Sequence, residues 1–157
     1  MKESSSLLIL FGALAASSLA LSQGRPPLVN FGSTPKSDTD DLVIQHFGAN
    51  YAVANITASD ATHSIKLPSG TSGFGFIGQA SVAGRCVAGT VVVAYIIRAD
   101  GHVIEPFVVS SSDPRLNDIA TARMRKVHFI SAELDGKRVS SIAATRLPFA
   151  CGQLHGS

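Results

Sequence analysis

The residues of this 157-residue chain with chemistry to offer are five histidines, two cysteines and a scatter of serines and carboxylates. The histidines stand at positions 46, 63, 102, 128 and 155. None belongs to an HExxH helix, and no two have a paired metal-ligand spacing. Ser110-Ser111-Ser112 lacks the G-x-S-x-G context that exposes a nucleophile at a strand-to-helix turn. Glu105 and Asp135 are sufficiently explained by solvent or turn positions. The expectation is therefore no catalytic residue, no metal site and no cofactor. Gly73, Gly75 and Gly78 match G-x-G-x-x-G by spacing. A dinucleotide fold needs a buried strand directly before those glycines and a helix directly after. Here LPSGTS precedes them and Gly84 interrupts any helix after them, so a glycine-rich linker is the better reading. No G-K-[ST] is present after the glycines, which excludes a P-loop.

Cys86 and Cys151 are too far apart for a CxxC redox or zinc motif. They form one disulfide or remain two unlinked thiols, and the compartment decides. Lys2 gives a short basic start, and Leu7 to Leu21 is an uncharged apolar core of 15 residues, with small residues at Ala20 and Ser22. A membrane span needs about 20 residues. The reading is a secretory signal peptide over residues 1–22, with an uncleaved inner-membrane anchor second. Export implies a periplasmic or secreted bacterial protein, and an oxidising compartment favours the Cys86–Cys151 bridge. Hydrophobic residues make up 45% of the chain and charged residues 15%, enough for a core. A net charge of +2 is too small to argue for nucleic acid or an anionic membrane.

The elements that must position anything are clearest between Val87 and Phe149. Thr90 to Arg98 is β-branched and apolar on both faces, as a central strand is. Asp100-Gly101 signals a two-residue type I′ hairpin. That register sets Ile97 against Ile104, Val93 against Val108 and Ala94 against Phe107. One face then collects Val91, Val93, Tyr95, Ile97, Ile104 and Val108 for a helix to cover, while the other is more mixed. Pro106 puts the second strand at an edge. Asp113 caps a helix beginning at Pro114, with Leu116, Ile119, Ala120, Met124 and Val127 on its apolar stripe. Val139 to Phe149 supplies a third strand. A helical crossover makes it parallel to the second strand, with the first between them. Cys86 and Cys151 then meet at the start of the first strand and the end of the third. Such a bridge contributes about 4 kcal/mol by the loop-entropy argument.

The fold class expected is α+β: a three-stranded, mainly antiparallel sheet in the order second–first–third, one long helix on one face, and a β-rich N-terminal extension. Residues 23–73 read as a linker and that extension, 74–151 as the main domain and 152–157 as a tail. Gln23 to about Asp41 reads as a flexible lead-in. Leu42, Val43, Ile44 and Phe47 suit a short helix or strand, and Tyr51–Ile56 and His63–Leu67 read as strands. Asn55-Ile56-Thr57 matches a glycosylation sequon, which matters only in a eukaryotic secretory pathway.

The ordered series Gly89-Thr90-Val91-Val92-Val93, Asp100-Gly101-His102-Val103, Val108 to Ser112, Arg125 to Ala132 and Asp135 to Val139 resembles the C-terminal domain of the TonB family. The resemblance spans Val87 to Phe149. It implies a periplasmic protein-binding module that pairs its last strand with a short segment of an outer-membrane transporter. Carried over by position, the pairing edge is Ser141, Ile142, Ala143, Ala144, Thr145, Arg146 and Leu147; the alternative is that the Leu42–Leu67 extension covers this edge and nothing binds there. The partner implied is a protein, either a TonB-dependent outer-membrane receptor or an envelope complex. The alternative is a structural or assembly component of the cell envelope with no energy-transducing role. GFGFIGQASVAGR stands where members carry a Tyr-Pro and a short helix, and Val127 where a Trp is common. The anchor and long Pro-rich spacer of a full transducer are not recognised, which the resemblance would require for force transmission.

Overall fold

The computed structural model describes residues 27–32, 38–57, 61–70 and 78–151. The expected signal peptide, Gly73, Gly75, His155 and the tail lie outside the described residues. Strand β1 (Leu28–Gly32), helix α1 (Asp38–Gly48) and strand β2 (Val53–Thr57) come first, followed by the two-residue strands β3 (Ile65–Lys66) and β4 (Ser69–Gly70). A small hairpin of β5 (Ser81–Val82) and β6 (Arg85–Cys86) leads into the long strands β7 (Gly89–Ile97) and β8 (Val103–Ser111). A 3₁₀ turn at Pro114–Leu116 runs into helix α2 (Asn117–Met124). The chain closes with β9 (Phe129–Ile130), β10 (Ala132–Leu134), β11 (Lys137–Val139) and β12 (Ser141–Phe149).

The main sheet has five strands in the order β2-β1-β12-β7-β8, where three were expected. β7 is antiparallel to both β8 and β12, while β1 is parallel to β2 and to β12. The additional interior strand, β1, comes from the stretch read as a flexible lead-in. LVNFG is too short to show a period, and its place is set by partners distant in sequence. Val29 N donates to Ser140 O and Leu28 N to Ala52 O, both at 2.9 Å. Both side chains are buried. The extension is thus a βαβ unit (β1, α1, β2) rather than only β-rich, with Leu42 to Phe47 in the helix.

The long helix expected from Pro114 to Val127 is instead a three-residue 3₁₀ turn and eight residues of α-helix. The Asp113 carboxylate does accept from Arg115 N at 3.0 Å, so the cap is formed. At the far end Lys126 N and Val127 N donate back three residues, to Arg123 O and Met124 O, tightening the last turn and ending the helix. Leu116, Ala120 and Met124 are fully buried, so the apolar stripe is used although the helix is short.

The first Asp-Gly turn also departs from expectation. Of its two residues only Gly101 has positive φ, +91°, and Gly101 N donates to Arg98 O. A type I′ turn needs positive φ at both central positions, so the loop takes three residues and Arg98 pairs with His102. Asp135-Gly136, with φ of +51° and +76°, makes the two-residue turn instead, between β10 and β11. In the β7–β8 hairpin, Val93 pairs with Val108 and Ala94 with Phe107 as expected, but Ile96 pairs with Ile104 and Ile97 with Val103. The slip comes from a bulge on β8 at Glu105 and Pro106, and it moves Ile104 to the opposite face.

Each face of the sheet carries a core. On the α2 face Val91, Val93, Tyr95, Ile97 and Leu147 pack with Leu116, Ala120 and Met124. On the other, Ala94, Ile96 and Ile142 pack with Leu28 and with Val43 and Phe47 of α1. The face that read as mixed is therefore half covered.

Candidate partner-binding edge

β12 lies in full register beside β7, from Ser141 opposite Ile97 to Phe149 opposite Gly89. Its other side is shared among several segments. Two residues pair with β1, through Val29 with Ser141 and Asn30 with Ile142. At the far end Gly78 N donates to Pro148 O at 3.0 Å, and Ala150 N donates to Gly78 O at 2.9 Å. With Ser140 O engaged by Val29, these bonds show that even-numbered residues aim their backbone groups away from β7. Between the two contacts stand Ala144 and Arg146, which pair with no described strand on this side. The expected edge strand is thus not outermost in the sheet, because β1 and β2 lie beyond it.

The side chains of this stretch divide by parity. Ser141 and Ile142 are buried where β1 joins, and Leu147 is buried in the α2-face core. Ala143 packs against that core as well. Ala144 and Arg146 are exposed. The Thr145 hydroxyl and the Tyr95 phenol share a 2.8 Å hydrogen bond, and the Tyr95 ring stacks on Phe129 with centroids 5.6 Å apart. Burial pushes the Tyr95 phenol above its ordinary pKa, and the bond to Thr145 opposes that shift in part. The hydrogen bond fixes β12 against β7 without using its outward groups, and the ring stacking seats β9 against β7.

A strap from Gly78 to Val87 holds the C-terminal end of the edge. Val87 N donates to Ala80 O, and both side chains are buried on the α2 face. The Arg123 guanidinium lies over the Phe149 ring, 5.4 Å from its centroid, and fills the space beside Gly78. A Cβ at Gly78 would stand 1.9 Å from Arg123 Nη1, so a side chain there would displace the guanidinium from this position. Cys86 and Cys151 are joined by a disulfide, with Cα atoms 5.8 Å apart, which ties the strap to the end of β12.

The described histidines do not converge. His63 Nδ1 lies 2.8 Å from Asp135 Oδ2, His46 stacks on Phe107, and His102 meets His128 across an isolated bridge. Among the described residues no group of three or more His, Cys, Asp or Glu is placed to hold a metal ion. No helix among them is long and apolar enough to cross a membrane. One pair has no counterpart in the sequence reading: the Tyr51 hydroxyl donates to the Glu105 carboxylate. Those residues are 54 positions apart, and no motif links them.

The fold is a five-stranded sheet with a helix on each face, in which the even-numbered residues of β12 turn their backbone groups away from β7. That describes a class of α+β protein-interaction domain. Residues 83–150 match the family described as Gram-negative bacterial TonB protein C-terminal, which supports the resemblance read from the sequence over that segment. The family consists of non-enzymatic domains that act through protein contacts in envelope transport. No curated protein matches the chain.

Proposed function

We propose that the chain is an exported, periplasmic TonB-like module that captures an extended peptide of an outer-membrane transporter by strand pairing on β12. The observation that carries this reading is the pair of outward-facing residues Ala144 and Arg146, between the β1 pairing and Gly78, with no pairing partner among the described residues. Unpaired N–H and C=O groups in a row are what an added strand takes up. Of the stretch Ser141–Leu147, the first two residues are already paired to β1, so the partner segment is short and centred on Ala144–Arg146.

Proline substitution separates binding from folding. Ala144 aims its N–H outward, so Ala144→Pro removes a donor that no described residue takes up. Ala143 aims its N–H at Tyr95 of β7, so Ala143→Pro breaks the internal ladder. A photo-crosslinker at position 146 is expected to label a transporter segment in intact envelopes. Labelling is lost in Ala144→Pro at unchanged melting temperature, whereas Ala143→Pro loses the fold. Labelling that survives Ala144→Pro would sink strand pairing at this site.

A second reading, permanent docking in an envelope assembly, is favoured by β1 and Gly78 holding the two ends of the outer side of β12. It predicts a stoichiometric complex on native purification that Ala144→Pro leaves intact.

A further inference from the structure

We propose that a cleft at the turn end of the sheet, on the α1 face, seats a basic side chain of a protein partner. The cleft has a volume of about 530 Å³, within the usual range for binding pockets. Its floor is apolar, made by Leu28, Ile96 and Ile104. Its rim carries Tyr51, Arg98, Asp100 and Glu105.

Among the described residues the rim is not electrically balanced. Arg98 lies 3.2 Å from Asp100, which also accepts from the His102 backbone N–H, so these two charges offset each other. Glu105 is held by a neutral group, the Tyr51 phenol. One negative charge beside an apolar floor suits a ligand with an aliphatic stem and a cationic head, as in Lys or Arg. The backbone at Glu105 makes the same point independently. Its φ is +49°, a left-handed conformation that a residue with a Cβ adopts at a cost, and it lies at the bulge in β8. Bulges re-aim side chains, and this one sets the Glu105 carboxylate opposite Tyr51, across the mouth of the cleft. Without the bulge the β7–β8 register would put Ile104 on the opposite face and remove part of the floor.

The protein source of the side chain rests on the interaction reading above; the cleft itself does not. Ser140 lines the cleft and leads directly into β12, so one partner can engage both.

The full chain with its disulfide intact, titrated by NMR, tests this. The probes are three capped pentapeptides, Ala-Ala-X-Ala-Ala with X as Arg, Lys or norleucine, and n-butylguanidinium alone. The Arg and Lys peptides are expected to shift the amides of Ile96, Ile104 and Ser140 saturably, with norleucine at least tenfold weaker. Glu105→Gln is expected to weaken the basic peptides about tenfold, and Tyr51→Phe about threefold. The absence of saturable shifts, equal binding of norleucine, or indifference to Glu105→Gln would overturn the proposal. Should Glu105→Gln fail to fold, the comparison of Lys with norleucine on the unaltered protein still decides. Butylguanidinium binding as tightly as the peptides would overturn the protein source in favour of a free cation. Ala144→Pro leaves this binding unchanged, so failure at the cleft and failure of edge pairing are read separately.

Discussion

The two faces of the sheet are built differently. The α2 face is closed by residues near one another in sequence: β7, β8, α2 and β12 all fall within the family match, and a disulfide ties their ends. The α1 face is closed by a βαβ unit from before that segment, held through Leu28, Val43 and Phe47 against Ala94, Ile96 and Ile142. The α2 core continues along β12 through Leu147 to Phe149, whereas on the α1 side Ala144 and Arg146 are left exposed. Among the described residues, the added unit pairs with only Ser141 and Ile142 of β12. The family segment thus brings β12, and under the proposed function the extension determines how much of it is offered.

The largest expected effect breaks the α2 side. Gly101 has a φ of +91°, and a Cβ there would stand 2.2 Å from the Phe129 carbonyl oxygen. Gly101→Ala therefore combines backbone strain with a clash against main chain. The expected loss is about 4 kcal/mol, or failure to fold, measured by urea unfolding. The counterpart on the α1 face is Phe47→Ala. This ring is 1% exposed and meets Phe107 edge-on at 5.4 Å. Its truncation is expected to cost about 3 to 4 kcal/mol. A single unfolding transition in both variants means that the faces fold as one unit. A separate early transition in Phe47→Ala alone would show that the βαβ unit detaches.

Removing the disulfide sharpens the comparison from the other direction. Cys86→Ser with Cys151→Ser opens a span of 65 residues, and the expected cost is about 2 to 4 kcal/mol by thermal unfolding. Amide exchange should rise first at Gly78 and Ala150 and leave the β1–β2 ladder protected. Faster exchange in β1 and β2 instead would mean that the bridge supports both faces.

The smallest effect is that of acid. Asp135 is held below the ordinary carboxylate range by the Ser64 backbone N–H first and then by His63. Glu133 is lowered by its hydrogen bond and ion pair with Lys66, and Asp113 by Arg115. Each folded pKa lies below its unfolded value, so the stabilisation is present at neutral pH. It is lost as pH falls below about 4, through the lowered folded values. These groups belong to the cap of the 3₁₀ turn and to the small sheet β11-β10-β3. Modest acid should therefore accelerate amide exchange there before it affects α1. Asp135→Asn should reduce the pH dependence of the melting temperature, and an unchanged profile would remove Asp135 from this account.

Much of the α2 side is legible in the sequence because its signals are local. β-branched residues from Thr90 to Ile97 specify a central strand, Asp113-Pro114 opens the helix, and Cys86 and Cys151 lie where the strand order brings the ends together. The register at Ile97 and Ile104 is not legible from pattern. A bulge at Glu105 and Pro106 adds one residue without altering the apolar alternation that sequence reading follows. β1 is hidden for a related reason: five residues carry no period, and Leu28 and Val29 are made strand-like by partners at Ala52 and Ser140. The candidate site divides the same way, since the stretch Ser141–Leu147 comes from the family pattern, while its cover by β1 and Gly78 does not.

By itself, then, the sequence determined the elements that nearest neighbours stabilise: the long hairpin, the capped helix and the residues able to form the bridge. Tertiary structure alone decided which side of β12 is paired, which amides remain outward, and that Tyr51 reaches Glu105. Strand pairing and clefts join residues tens of positions apart through backbone groups that every residue carries. No residue type announces them, and only the assembled sheet selects which are satisfied from within.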